Sequence, residues 1–527
     1  MGRGGKIGIG LGATVALFAV AGTMAARHVS SPALWAALPL HTGAPRALDP
    51  ASVPPMTIGM NAGMPVYWST EESFADPIKV HGELMIEANG RQPLTDQLPM
   101  RANGRPFDVP AGTTLATRLG QAPHLAKEMA CTVSPGWRVR SPEAALSQHG
   151  TRFSIRIPAV ARSQEVTLTI TAERNGAALD ELSCLPAGFA SDTLWRSDFL
   201  GDMQPFSVIR FMDWMKTNNQ PHQSWADRPT PADFSPLAKG VSVEQMVALA
   251  NRLHADPWFT LPFDADADYY RNFAIYVRDH LARDRRAYVE LSNEVWNAAF
   301  DQHRQALRLG QARYPAAKDY EAVDFYYADR VRDLMAIWTA VFAGQRQRLV
   351  RVLASQAAWT QHGENSLSHE DTWRSVDAYA IAPYFGDVPR DVAGQGRARI
   401  DAVLAHAPAD IDEAISWGRQ GKALADKYGL RFVTYEGGPG YYGDTPGTSE
   451  DMTNLSHDPR LYPVYRSFLT RWRKEVGGLL VLYAATGGTS FGHKAYTGQP
   501  LADAPKMRAV VDTIGQLAPA PGARGRR

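Results

Sequence analysis

Tyr288-Val289-Glu290-Leu291 runs directly into Ser292-Asn293-Glu294-Val295-Trp296-Asn297. An apolar run of strand length that ends in a polar, carboxylate-bearing cluster is the reading on which the fold turns. Ala287–Leu291 (AYVEL) is too short for a helix and reads as a fully buried strand. Outward from it the same unit recurs. Phe206–Phe211 (FSVIRF) and Pro257–Phe263 (PWFTLPF) precede it; Arg348–Leu353 (RLVRVL), Val376–Ile381 (VDAYAI), Leu430–Thr434 (LRFVT) and Gly478–Tyr483 (GLLVLY) follow. Helical patterns lie between them, at Val243–His254, Asp268–Arg283, Tyr320–Phe342, Asp410–Tyr428 and Pro459–Val476. Alternation of this kind predicts βα units around a parallel sheet. Seven such strands follow Ser191, whereas a closed barrel needs eight. The missing one is upstream, at Pro55–Met60 (PMTIGM). The expected fold is an α/β (β/α)8 TIM barrel made of residues 56–80 and 191–515, with a second domain inserted after its first strand.

The insertion, residues 81–190, has a period of two. Phe153, Ile155 and Ile157 alternate with Arg152, Ser154 and Arg156, and Val166, Leu168 and Ile170 alternate with threonines. Asn89-Gly90, Asn103-Gly104 and Asn175-Gly176 are hairpin-turn signals. The region reads as an antiparallel β-sandwich. Its Cys131 and Cys184, the only cysteines of the chain, either pair as a disulfide or remain buried thiols.

Arg3 and Lys6 precede an uncharged run from Ile7 to Ala26. Residues 1–26 therefore read as an export signal or, uncleaved, as a membrane anchor through residues 7–26. Residues 27–55 form an Ala/Pro-rich linker, and residues 516–527 read as a disordered tail. Export to the periplasm or the exterior would let the cysteines pair. Lys+Arg is 55 against Asp+Glu 54 in 527 residues, a balance that gives no electrostatic footprint for nucleic acid. A monomer is expected.

In a barrel of this kind reactive side chains project from the C-terminal ends of strands. Glu294 stands after the fourth strand, and Glu436, in Tyr435-Glu436-Gly437-Gly438, after the seventh. Two glutamates facing each other across one cleft suit glycoside cleavage, in which one carboxyl protonates the leaving oxygen and the other attacks the anomeric carbon. Aromatic residues gather at the same ends: Tyr67, Trp68, Trp214, Phe263, Trp296, Trp359 and Tyr483. Their flat faces suit the C–H face of a pyranose, while hydrophobic core is the alternative for about half of them.

SNEVWN and YEGG resemble the acid/base and nucleophile motifs of the (β/α)8 superfamily of retaining glycoside hydrolases, of the cellulase, mannanase and xylosidase type. The resemblance covers the barrel and leaves the insertion aside. It implies Glu294 as general acid/base and Glu436 as nucleophile, with Asn293 on the sugar 2-hydroxyl. Arg210 is placed to keep the nucleophile ionised, and Tyr384 to donate to it; an ion pair of Arg210 with Asp213 is the structural alternative. Many members carry Pro where this chain has Val295, and end the eighth strand in Trp where it has Tyr483. His493 is then expected to supply a polar sugar contact. No organic cofactor or metal is expected. Asp264, Asp266 and Asp268 lack the Gly and Glu of a calcium loop, with Asp268 read as a helix cap; His362, Glu364, His369 and Glu370 make a weak metal pattern. The expected substrate is a neutral glycan. A non-catalytic carbohydrate-binding or cell-surface assembly protein on the same scaffold is the second reading.

Overall fold

The structure is a computed structural model that describes residues 53–517, apart from 88–90, 94–97, 122, 159–164, 387, 389–393, 443–444 and 488–490. The expected export segment, the linker up to residue 52, the Asn89-Gly90 turn and the tail from residue 518 lie outside the described residues.

Eight parallel strands close into a barrel: β1 Thr57–Asn61, β2 Val208–Arg210, β3 Asp256–Leu261, β4 Ala287–Leu291, β5 Leu349–Ala354, β6 Ala378–Ile381, β7 Arg431–Thr434 and β8 Leu479–Leu482. Each coincides with an expected run to within two residues. β8 returns to β1, pairing Leu479 with Thr57 and Leu482 with Met60. The β7–β8 contact is short, a single Val433–Leu479 pair. There the Thr434 hydroxyl accepts from Val481 N at 2.9 Å and supplements the ladder.

Alternation along each strand divides two cores. In β4, Ala287, Val289 and Leu291 face the helices, whereas Tyr288 packs inside the barrel. That interior is filled by bulk against smallness. Trp258 stacks on Tyr288 at 5.3 Å, and Ala354, Ala378 and Ala380 belong to the same interior cluster. It is a packed core and not a channel, so chemistry is confined to the strand ends.

The helices depart from expectation in places. The one expected at Asp410–Tyr428 starts at Arg397 and runs to Lys427, straight through Pro408. The cap expected at Asp268 is Asp266, whose side chain accepts from Tyr269 N at 2.6 Å. Asp268 sits inside the first turn, on Arg271. Asp301–Arg313, Gln361–Ser368 and Pro505–Leu517 are further helices that the sequence pattern did not single out. Among the described residues, no helix is long and apolar enough to cross a membrane.

The insertion forms two antiparallel sheets right after β1. One has four strands, in the order Leu182–Pro186, Glu128–Val133, Arg152–Arg156, Ala145–His149. The other has five, in the order Arg91–Pro93, Met85–Glu87, Thr114–Gln121, Glu165–Ala172, Trp137–Arg140. They enclose their own core around Leu115, Trp137, Phe153, Leu168 and Ile170. Cys131 and Cys184 lie directly opposite each other on neighbouring strands and are joined by a disulfide. Closing a loop across a sequence separation of 53 stabilises by about 4 kcal/mol in the chain-entropy model. The insertion also braces the barrel's first loop. Arg118 lies over the Tyr67 ring at 4.0 Å, and His81 Nδ1 meets the Tyr67 carbonyl at 2.9 Å.

Candidate active site

Strand register builds the site from below. β1 and β2 pair Asn61 with Arg210, and β2 and β3 pair Arg210 with Trp258. Thr260 of β3 stands beside Glu290 of β4. Arg210 is completely buried, and its guanidinium has five N–H groups to satisfy. All five are used. Nε and Nη2 reach the two Glu290 oxygens at 3.1 and 3.2 Å, and Nη2 also donates to Asn293 Oδ1 at 2.9 Å. Nη1 donates to Asn61 Oδ1 at 3.1 Å and to Glu436 Oε1 at 2.8 Å. Two carboxylates hold this cation far above any working pH. Arg210 therefore reaches Glu436 as expected, and the alternative, an ion pair with Asp213, does not form: Asp213 accepts from the Tyr483 hydroxyl at 2.9 Å, and Glu290 is the further carboxylate on Arg210.

Glu436 follows the end of β7. Its Oε2 accepts from the Tyr384 hydroxyl at 2.8 Å, so both oxygens are tied to donors. The chain arranges this by a small parallel pairing of Tyr384–Phe385 with Gly438–Pro439. Gly438 has a φ of 104°, and a Cβ there would come within 2.8 Å of the Tyr465 hydroxyl, so glycine is required for the segment to turn back.

Glu294 follows β4 in a strained bend. Ser292 has a φ of 60° and Glu294 a φ of 44°, both left-handed and costly for residues with a Cβ. The helix Asp301–Arg313 pins the bend: Gln302 Nε2 donates to the Asn293 carbonyl at 2.8 Å, and His303 Nδ1 meets the Val295 carbonyl at 2.9 Å. Glu294 receives hydrogen bonds from Asn297 at 2.9 Å and Tyr435 at 3.2 Å. Burial, and then the nearby Glu436 carboxylate, nonetheless push it up to about 7. A carboxyl that keeps its proton near neutrality thus lies within electrostatic reach of one whose oxygens are held by Arg210 and Tyr384.

Glu294, Glu436, Arg210, Asn293, Tyr384 and Tyr483 are brought together. Trp296, two residues after Glu294, is half-buried, its indole N–H buried without a partner. Trp68 and Trp359 stand out in solvent, at 64% and 45% exposure, and Tyr67 is exposed beside Trp68. Three residues depart from their expected place. Trp214 is buried in a stack with Phe74, Trp195 and Phe199, so no sugar can reach its face. Phe263 is likewise core. His493 is buried, between the Tyr465 hydroxyl at 2.8 Å and the Ala484 carbonyl at 2.9 Å, and burial drops it to about 3.

Four residues of the site were not foreseen. Glu290 and Asn61 carried a signal, a polar residue inside or at the end of an apolar run. Tyr435 and Asn297 were visible only as motif neighbours. A fifth, Glu71, lies next to the cluster: it accepts from Gly63 N at 2.9 Å and lies against the Trp214 side chain, and burial, with Asp213 and Asp202, pushes it up to about 8.

The four residues of the weak metal pattern disperse. His362 pairs with Asp324 and Glu364 with Lys427. His369 and Glu370 do approach Asp329, but Arg332 Nη2 sits 2.6 Å from Asp329 and 2.5 Å from Glu370, occupying the oxygens a cation would need. Asp264 is engaged by His222 and Gln305.

No protein-family model matches the chain, and no curated protein matches it. Among solved structures it is similar to an arabinofuranosidase from Xanthomonas axonopodis pv. citri, at 14% identity and a TM-score of 0.37, over 57% of this chain and 63% of that one. It is also similar to a β-glucosidase from Thermotoga maritima in complex with glucoimidazole, at 11% identity and a TM-score of 0.34, over 60% of this chain and 84% of that one. The chain thus spans less than two thirds of the arabinofuranosidase. The (β/α)8 architecture rests on its own strand order and closure.

Proposed function

We propose that the chain is a glycoside hydrolase that cleaves β-glycosidic bonds with retention of configuration. Glu436 attacks the anomeric carbon and forms a glycosyl-enzyme; Glu294 protonates the departing oxygen, then takes a proton from the water that releases the sugar. One observation carries this reading: the unequal environments of the two glutamates. Arg210 and Tyr384 hold Glu436, while Glu294 is pushed up to about 7. Asn293, anchored on Arg210 and on Asn218 at 3.2 Å, is the residue assigned to the sugar 2-hydroxyl. Trp68, Trp296 and Tyr483 are the aromatic contacts retained for a neutral oligosaccharide or polysaccharide. The disulfide accords with export, which we propose on the basic and apolar N-terminus.

The test is turnover of a glycan panel spanning cellulose, mannan, xylan and β-1,3-glucan by the wild type, Glu436→Gln and Glu294→Gln. Glu436→Gln is expected to abolish hydrolysis, and Glu294→Gln to slow it by about 10²–10⁴-fold. Undiminished turnover in either variant ends the assignment. Glycan binding without hydrolysis by the wild type transfers it to the non-catalytic reading.

A further inference from the structure

A cavity of about 350 Å³ lies where the insertion meets the first barrel loops. Its volume is at the lower end of the roughly 300–1,000 Å³ range of ligand sites. Glu72 lines it from the loop after β1, and His124 from the insertion; Phe189 and Arg196–Asp198 line it from the chain returning to the barrel. None of these residues belongs to the cluster around Glu294 and Glu436.

Glu72 is buried, and only half of its carboxylate is used. Oε1 meets His81 Nε2 at 2.7 Å, while Oε2 accepts no hydrogen bond and has Arg196 Nη1 3.8 Å away. The two ring nitrogens of His81 face two acceptors, this carboxylate and the Tyr67 carbonyl, so the ring is held protonated. Arg196 is committed to Asp198, at 2.6 and 3.0 Å, and to the His124 carbonyl at 2.9 Å. The charges of the wall therefore cancel, Glu72 against His81 and Asp198 against Arg196. Burial keeps the His124 imidazole below its ordinary range, and the ring packs on Tyr496 at 4.9 Å. Phe189, 41% exposed, supplies an apolar face at the rim.

We propose that this cavity is a second carbohydrate site, sharing no residue with the cluster around Glu294 and Glu436 and taking a single neutral sugar residue. A wall of balanced charge disfavours an ionic ligand, since an added charge would be desolvated without a counter-charge. The unused Glu72 oxygen requires a donor, and a hydroxyl supplies one. Aromatic faces next to polar atoms fit a ring with a hydroxyl rim and a C–H face. The site is independent of the catalytic reading, because it shares no residue with it.

Hydrogen–deuterium exchange of the full chain tests the proposal, with methyl β-D-glucopyranoside, methyl α-D-mannopyranoside and methyl β-D-xylopyranoside as probes and putrescine as a cationic comparator. At least one glycoside is expected to slow exchange over residues 123–129 and 194–203, equally in the wild type and in Glu436→Gln. Ser197→Trp, which fills the exposed rim, should abolish that protection, and Phe189→Ala should weaken the apparent affinity at least tenfold. Phe189 is a surface residue, so the second variant stands if the first fails to fold. Protection by none of the glycosides, protection by putrescine alone, or sugar protection that survives both variants overturns the site. Hydrolysis is not the readout, so failure of the catalytic proposal leaves this test intact.

Discussion

Tyr435, the residue immediately before Glu436, donates its hydroxyl to Glu294 at 3.2 Å. Side chains alternate at the end of β7, so two adjacent residues serve the two carboxyls: Glu436 supplies one, and Tyr435 reaches from the barrel interior to the other. The ionisation of Glu294 is thereby tied to the position of the β7 backbone.

Tyr435→Phe removes a donor that favours the ionised form of Glu294. Its pKa, already about 7, should rise further. The acid works protonated, so activity falls as pH climbs through that value. The basic limb of the kcat/KM profile is therefore expected near pH 7 in the wild type and higher by about one pH unit in the variant, one hydrogen bond to a charged group being worth roughly 1.5–3 kcal/mol. A pH–rate profile of both proteins checks it; an unmoved limb separates Glu294 from the acid.

Glu290→Gln tests a positioning role. Glu290 touches Arg210 and the Trp258 indole at 2.8 Å, and it has no direct contact with Glu294 or Glu436. Breaking a buried ion pair from one side costs roughly 3–5 kcal/mol. A released Arg210 would misplace Glu436, so kcat should drop by about 10²-fold with KM little changed. Denaturant unfolding and steady-state kinetics read the two effects; a rise in KM alone would place Glu290 in substrate binding.

Trp68 and Trp214 should part company. Trp214→Ala opens a cavity in the Phe74–Trp195–Phe199 stack and is expected to cost about 3–5 kcal/mol in unfolding free energy. Trp68→Ala leaves the melting temperature unchanged and raises KM on the glycan that the wild type hydrolyses. Equal losses of stability would contradict the burial of one and the 64% exposure of the other.

Glu71 gives the chain a pH-dependent stability. Unfolded, it titrates near 4.5; folded, at about 8. Between those values the folded chain holds a proton that the unfolded chain has released, so the contribution of Glu71 to stability is fully present below about pH 4.5 and is lost as pH rises towards 8. Asp213, raised to about 7 by burial, acts in the same direction. Each pH unit between the unfolded and folded values is worth about 1.36 kcal/mol. Denaturation midpoints measured from pH 5 to pH 8 should fall in the wild type and fall less steeply in Glu71→Gln; parallel slopes would refute this.

The barrel was legible in sequence because each strand is buried on both faces and so appears as an apolar run, even Thr57–Asn61, which the insertion separates from its successor. The rim positions of Glu294 and Glu436 were legible because each follows directly on one of those runs. Trp214 was not: it also follows a strand, but Phe74, Trp195 and Phe199, which bury it, come from segments whose packing no local pattern displays. His493 was misassigned for the same reason, since Tyr465, its partner, lies on the helix Leu461–Glu475 ahead of β8. Pro408 would ordinarily break a helix, and here the helix continues through it. Glu290 had a visible signal, a charge inside a buried strand, which obliges a partner; what sequence left open was whether that partner was shared with the site.

The saturation of Arg210 has an evolutionary side. One guanidinium ties together residues of β1, β2, β4 and the end of β7, so the group that holds Glu436 in place also fastens the rim of the barrel. A substitution that adjusted reactivity there would loosen folding in the same stroke, and a lysine could not replace the fork. Diversification of specificity is therefore channelled to positions that carry no such double duty, the exposed Tyr67-Trp68 loop and the segment around Trp359. On the proposed hydrolase reading, directed-evolution libraries aimed at new glycans belong in those loops, with the strand ends left untouched.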